Sequence, residues 1–235
     1  ENIKNNNLLK ANAAIGIFEA NAENETIFAN NNGEVIPFEF LRNQEDNKDT
    51  NYCLSDFIAP NTSNIKDYMG LFAVSTGFNI EKTVQQYESE GDDYNAIMIK
   101  ILADRLAEAF AELMHYKLRT EFWGYSPTEK INQDDLLKEK YRGIRPAPGY
   151  SACPEHSEKR KIFDLMNIEN KTGIVLTDGY SMYPAASVCG YYFSHPEAKY
   201  FDVAKISKDQ VEDYANRKNM KVKDIEVLLN SNINY

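Results

Sequence analysis

No run of apolar residues in this chain approaches the roughly 20 needed to cross a bilayer. Its start, ENIKNNNLLKANAAIG, is polar and helical in flavour and lacks the pattern of a signal peptide. Positive charge is scarce: 26 Lys and Arg stand against 36 Asp and Glu, for a net charge of −10 and a pI near 4.9. Nucleic acid is a poor partner for such a chain, because phosphate binding needs a basic stripe. Three cysteines, Cys53, Cys153 and Cys189, are odd in number and widely spaced, which argues for reduced thiols in the cytosol. On that reading the Asn-x-Thr/Ser triplets at Asn24, Asn61 and Asn170 are chance. Neither a G-x-G-x-x-G nor a Walker sequence is present, so nucleotide binding through those loops has no support.

Catalytic signals are equally thin. Cys153 and His156 have C-x-x-H spacing, but a structural zinc needs four ligands and neither His115 nor His195 sits in a matching pair. The same Cys and His, three apart on a Pro-broken turn, are no diagnostic of a nucleophile and its base, which meet in space from separated elements. The doublets Asp92/Asp93 and Asp134/Asp135 are explained by helix starts, where a carboxylate faces the positive end of the dipole.

What is present is a core. Of the 235 residues 43% are apolar and 12% aromatic, enough for one sizeable globular domain or two small ones. The first residue is Glu, which reads as a piece of something longer. Residues 5–12 suggest the end of a helix, and 14–22 and 26–30 two strands about an acidic turn at Glu23-Asn24-Glu25. The segment 34–44, with Pro37 near its start, is ambiguous; 53–57 is a short extended piece and 70–76 a strand. The longest helix starts at Asp92/Asp93 and runs from about Tyr94 to Phe122 without Gly or Pro. Met98, Ile101, Leu102, Ala109, Phe110, Leu113 and Met114 supply its helical apolar spacing. Lys100, Asp104, Glu108 and Glu112 recur every fourth residue on another face, either a solvated stripe or one that faces a ligand or partner. Ser126 and Glu129 read as a capping box for a helical turn, 132–141 as a short helix and 156–168 as an amphipathic one. Strands are expected at 174–177, 188–193 and 199–206, then helices to Asn219, capped by Ser207 and Gln210, and over 221–229. Clustered strands and helices favour an α+β fold with a largely antiparallel sheet over a doubly wound one.

The segment IRPAPGY, 144–150, is stiff. Pro146 and Pro148 fix their own φ and push Arg145 and Ala147 into extended conformations. Gly149 allows a positive φ or a close backbone approach. Tyr150 adds an aromatic face. A guanidinium on such a support suits a bidentate grip on a carboxylate. A structural corner in which Arg145 caps a helix carbonyl fits the spacing equally well. Farther on, Tyr180, Tyr183, Tyr191, Tyr192, Phe193, Tyr200 and Phe201 crowd the last third; such faces suit core packing, and with acidic residues they also suit a sulfonium.

YCLSDFIAP, DDYNAIMIKILADRLAEAFAE, IRPAPGYSACPEHSEK, YFSHPEAKYF and KISKDQVEDYANRKNM, in this order, closely resemble the activation (reactivation) domain of cobalamin-dependent methionine synthase. The resemblance spans nearly the whole chain and implies a single C-shaped α+β domain, 1–235, with a bent, largely antiparallel sheet flanked by helices. It implies a cytoplasmic module of a multi-modular methyltransferase that makes methionine from homocysteine. When the enzyme's cobalamin oxidises to inert cob(II)alamin, the module caps the cobalamin domain and S-adenosylmethionine supplies a methyl group. Cobalamin and zinc belong to other modules, and a flavodoxin-like or diflavin reductase partner gives the electron. By the resemblance, Arg145 grips the S-adenosylmethionine carboxylate, Ala147 makes the backbone contact beside it, and Gly149 and Tyr150 complete the loop. Tyr200 and Phe201 match the pair on a neighbouring strand that lines the site, Glu108 and Glu139 match acidic residues near the ligand, and Asp104 faces the cobalamin domain. The acidic stripe thereby becomes ligand- and partner-facing. No residue of this chain need be a nucleophile. Two departures stand out: Ser151 replaces a usual Pro, which loosens the turn, and an upstream helical Asp-Trp-Thr-Pro-type segment is missing, so either the chain is a truncated piece or the ligand site is incomplete and binds weakly. The other reading is a docking module for the cobalamin domain or the flavoprotein, with an incomplete ligand site.

Overall fold

The computed structural model describes residues 8–45 and 50–235. Its strands are β1 (Lys10–Glu23), β2 (Thr26–Asn31), β3 (Glu34–Glu39), β4 (Asp67–Phe78), β5 (Val175–Leu176), β6 (Met182–Tyr183) and β7 (Ser187–Tyr192). Its α-helices are α1 (Ile80–Ser89), α2 (Asp93–Lys117), α3 (Gln133–Leu137), α4 (Glu158–Met166), α5 (Ile168–Thr172), α6 (Lys208–Lys218) and α7 (Val222–Leu228). Five strands form a wholly antiparallel sheet in the order β3-β2-β1-β4-β7, while β5 and β6 pair with each other. The α+β expectation is met.

Local chemistry sets the hairpins. Asn24 enters the left-handed region between β1 and β2, and Asn32-Gly33, both with positive φ, makes the tight turn into β3. The ambiguous 34–44 segment begins as this edge strand. There Pro37 costs no ladder bond in the sheet interior, and its carbonyl accepts from Lys161 Nζ at 2.7 Å.

Both faces of the sheet are covered. On one, Ile27, Phe38, Leu71 and Tyr191 pack with Ile162, Phe163 and Met166 of α4. On the other, Phe72, Val74 and Tyr192 meet Ala111 and Leu118. The buried side of α2 is Ala96, Ile99, Ala103, Ala107, Ala111 and His115, not the larger residues expected from spacing; Ile101, Leu102 and Leu113 are exposed. Alanines let the helix lie close on β4, where Thr76 Oγ1 donates to the Ala103 carbonyl at 2.7 Å. Asp92 caps α2 as expected, its carboxylate accepting from Asn95 N. The helix changes to a π turn over Leu118–Phe122, short of a uniform α-helix to Phe122.

Other expectations give way to specific bonds. Residues 8–12 enter β1 instead of ending a helix, and residues 5–7 lie outside the described residues. The extended piece at 53–57 is a 3-10 turn (Leu54–Phe57), drawn together because Asp56 accepts both from Cys53 N and from the Arg42 fork. The 126–129 box forms no helix; the Glu129 carboxylate is taken by Arg119. No strand forms at 199–206. Val203 N donates to Ser151 O, Ala204 turns left-handed, and only an isolated bridge joins Ile206 to Ile233. Ser207 and Gln210 face Gln44 and Arg42 and leave α6 without a side-chain cap. The short helix 132–141 is limited to α3, and α1 had no counterpart in the sequence reading.

The C-terminal helices build their own cluster, Val203, Ile206, Val211, Tyr214, Ile225 and Leu229, closed by Leu41. Buried charge fastens it to the sheet. Lys218 Nζ bonds Glu155 and Glu158 at 2.7 Å each, and Arg217 Nη1 bonds Glu39 Oε2 at 2.7 Å. Burial alone would raise the Glu155 pKa, but Lys218 and the Ser157 donors outweigh it and hold it below the usual carboxylate value. Such a depressed group stabilises the fold above its unfolded pKa of about 4.3, and that stability is lost as pH falls through the folded value. Lys218→Met should cost on the order of 3 kcal/mol in chemical denaturation at neutral pH, since Glu155 then lies buried without its cation and Glu158 keeps only Lys161. The penalty should shrink on acidification as Glu155 protonates.

Candidate functional site

The segment after Gly143 runs along the open edge of β7. Ile144 and Phe193 exchange both backbone hydrogen bonds at 3.0 Å, and Tyr191 N donates to Pro146 O at 2.9 Å. Gly190 makes this approach possible: a Cβ there would collide with the Pro146 carbonyl oxygen. Gly149, at φ 101°, turns the chain back, and Gly149 N donates to Cys153 O at 2.8 Å. A Cβ on Gly149 would overlap the His156 ring, which Lys159 Nζ holds through Nδ1 at 2.9 Å. Cys153 and His156 are thus parts of the mounting of the loop. Val203 N on Ser151 O ties down the turn that Ser151 was expected to loosen.

The loop walls a cleft of about 290 Å³ with Phe72, Val188, Tyr200 and Phe201. Of the residues singled out in the sequence, Arg145, Ala147, Tyr150, Tyr200, Phe201, Glu108 and Glu139 all line it. Gly149 lies behind it, against His156, and Asp104 lines an adjoining hollow that shares Glu108 and Val188 with the cleft. Tyr200 and Phe201 reach the cleft from irregular chain instead of the expected strand.

Hydrogen bonding inside the loop is lopsided. The backbone N–H groups of Ile144, Arg145, Gly149 and Tyr150 are all bonded, that of Arg145 to Tyr200 Oη at 3.0 Å, and the two prolines have none. Ala147 N–H alone in the segment has no hydrogen bond among the described residues. The Arg145 side chain shows a similar division. Its Nη1 meets Glu112 Oε2 at 2.7 Å, Tyr141 Oη at 2.6 Å and His115 Nδ1 at 3.5 Å, whereas Nε and Nη2 have no bond among the described residues.

Behind Arg145 lies a group that sequence reasoning did not assemble. Arg119, fully buried, grips Glu129 with two 2.8 Å bonds and stacks on Tyr141 at 4.0 Å. Glu112, His115 and Arg119 share one side of the helix at i, i+3 and i+7, and that spacing was the available signal. Glu112 therefore leaves the exposed acidic stripe that Asp104 and Glu108 continue. Burial, then the charges of Arg119 and Arg145, push His115 well below an ordinary imidazole. Being neutral and facing a guanidinium that can only donate, its Nδ1 is the acceptor, and Nε2–H donates to Tyr125 Oη at 3.3 Å. Burial also raises Tyr141 and Tyr200, which stay protonated at neutral pH. Among the described residues no group of three or more His, Cys, Asp and Glu is placed to hold a metal ion, and no helix is long and apolar enough to cross a membrane.

Residues 1–219 match the family model of the vitamin B12-dependent methionine synthase activation domain. This chain belongs to that family. Among solved structures, it is similar to the MetH reactivation domain bound to AdoHcy, with 46% sequence identity and a TM-score of 0.96, covering 100% of this chain and 74% of that one.

Two outcomes test the geometry. Gly149→Ala should destabilise the fold by about 2 kcal/mol in chemical denaturation, part from the positive φ and part from the collision with His156. Adding His156→Ala should recover only the second part. In nitrogen-15 spectra His115 should remain the neutral Nε2–H tautomer across the range where an ordinary imidazole, of pKa about 6.5, titrates. A histidine with a depressed folded pKa stabilises above about 6.5, and the contribution is lost as pH falls toward the folded value.

Proposed function

We propose that the cleft binds S-adenosylmethionine and presents it to a cobalamin held by another module of the same polypeptide. The observation that carries this reading is the pair of free donor sets, the Nε/Nη2 edge of Arg145 and the N–H of Ala147, on one wall of the cleft. A parallel pair of guanidinium N–H groups is the geometry that takes both oxygens of a carboxylate. Glu108 and Glu139 on the same cleft suit the cationic parts of an amino-acid sulfonium, and Tyr150, Tyr200 and Phe201 offer aromatic faces to the sulfonium and the base. The likeness to the MetH reactivation domain bound to AdoHcy supports the assignment.

When bound, the ligand supplies an activated methyl group, so position and orientation are what the protein has to provide. Asp104, exposed one turn from Glu108 on α2, faces the cobalamin module in this reading. The electron comes from a flavodoxin-like or diflavin partner in the cytosol. On its own the chain binds the ligand without turnover.

Calorimetry with S-adenosylmethionine or AdoHcy tests the reading. The 235-residue chain should bind, and Arg145→Ala should lose at least about tenfold in affinity, the loss expected for a hydrogen-bonded charge pair. Equal affinity in the two proteins would sink the role of Arg145. No binding by the unaltered chain would sink the ligand assignment.

A further inference from the structure

The loop fixes the backbone of Arg145, but not the side chain, which has four rotatable bonds and a large rotamer entropy. Something else has to decide which guanidinium edge meets a ligand. We infer that Glu112 is a positioning residue whose ion pair with Nη1 of Arg145, beside the bonds of Nη1 to Tyr141 and His115, fixes the guanidinium so that the Nε/Nη2 edge is left to the cleft. The inference rests on the carboxylate-binding reading given above.

Glu112 is placed between two arginines and divides itself unequally. Its Oε2 lies 2.7 Å from Arg145 Nη1. Its Oε1 stands 3.9 Å from Arg119 Nη1, and both of those atoms are buried without a hydrogen bond among the described residues. Glu129 already answers the charge of Arg119, which is 0% exposed, and the close approach of Glu112 is to Arg145, which is 18% exposed. Arg119 is held from behind by the Glu129 fork and the Tyr141 ring, so it acts as a fixed post against which Glu112 is set. Charges alternate along Glu129, Arg119, Glu112 and Arg145, and a ligand carboxylate would be the next negative member.

Position and charge make opposite demands here, which gives the inference a sign. Removing Glu112 leaves the Arg145 cation less neutralised, and charge alone would then tighten the hold on an anion. It also leaves Nη1 with only its neutral partners Tyr141 and His115, so the fork is held less firmly in its orientation, and position would then weaken the hold. The inference predicts weakening, confined to ligands that have the carboxylate.

The test is calorimetry on the 235-residue chain with AdoHcy and with 5′-methylthioadenosine, which keeps the adenosyl thioether and lacks the carboxylate. Glu112→Ala should lower AdoHcy affinity about tenfold and change methylthioadenosine by less than about twofold. Glu112→Gln keeps an oxygen for Nη1 and should recover much of the loss. Tyr141→Phe removes one hydrogen bond and no charge, and should cost about threefold on AdoHcy alone. AdoHcy binding unchanged or tighter in Glu112→Ala, with Arg145→Ala still impaired, would overturn the positioning role, as would equal weakening of both ligands. If Arg145→Ala is also unimpaired, the carboxylate reading itself has failed and takes this inference with it. Should thermal melting show Glu112→Ala unfolded, the other two variants decide: AdoHcy affinity unchanged in both overturns the proposal.

Discussion

The backbone bond from Tyr191 N to Pro146 O, with the Ile144–Phe193 pair beside it, is the constraint on which the cleft depends. β7 would otherwise be an open edge of the sheet, and the loop covers part of it through the isolated Ile144–Phe193 bridge and the Tyr191–Pro146 bond. Gly190 is the condition for that contact, since a side chain there would meet the Pro146 carbonyl. Tyr191 and Phe193, on either side of the contact, are fully buried in the main core. Core packing therefore sets the place of Arg145 directly, through two residues of backbone. Pro146 supplies an acceptor to the sheet and no donor of its own, and Ala147 next to it has no hydrogen bond on its N–H among the described residues.

Two buried charge assemblies divide the work. Around Lys218 and Arg217 the carboxylates of Glu155, Glu158 and Glu39 are all bonded, some to hydroxyl and backbone donors as well, and the outcome is a fixed joint between the C-terminal helices and the sheet. Around Arg119 and Glu112 the satisfaction is incomplete, with one oxygen and one nitrogen unbonded. Buried polar atoms are usually paired, and native proteins concentrate the exceptions at functional sites. The pattern is partial here, because the hydroxyls of Tyr191, beside Glu155 and Glu158, and of Tyr192 are also buried without a partner among the described residues.

Much of the fold was legible because periodicity and turn chemistry are local. The β1–β2 hairpin, the long helix with its Asp92 cap, and β4 and β7 were all placed within a few residues. The failures share a cause: a distant partner outbid the local signal. Glu129 reads as a capping residue until Arg119 is beside it, Gln210 until it meets Arg42, and Asp56 bends an extended segment by taking Cys53 and Arg42 together. The face of α2 was misjudged because apolar spacing counts bulk, while this sheet selects alanine for close approach. In the site, the loop and its cleft-lining residues could be quoted from a distinctive motif. Glu112, Tyr141 and Arg119 could not, because only the fold brings residues from α2, the π turn and 141 around one guanidinium.

The titration pattern around Arg145 suits orientation better than proton transfer. Burial raises Tyr141 and Tyr200, and burial with two arginines lowers His115, so every one of these groups is uncharged at neutral pH. None is poised to exchange a proton near pH 7, which general acid–base catalysis would require. What uncharged groups do well is hold direction: the Tyr200 hydroxyl accepts from Arg145 N and still has a hydrogen to give, and the Tyr141 hydroxyl accepts from Nη1. The same environment that makes these groups poor catalysts keeps their hydrogen bonds constant across the physiological range. In the reading proposed above, a module that orients an already activated methyl donor gains from that constancy.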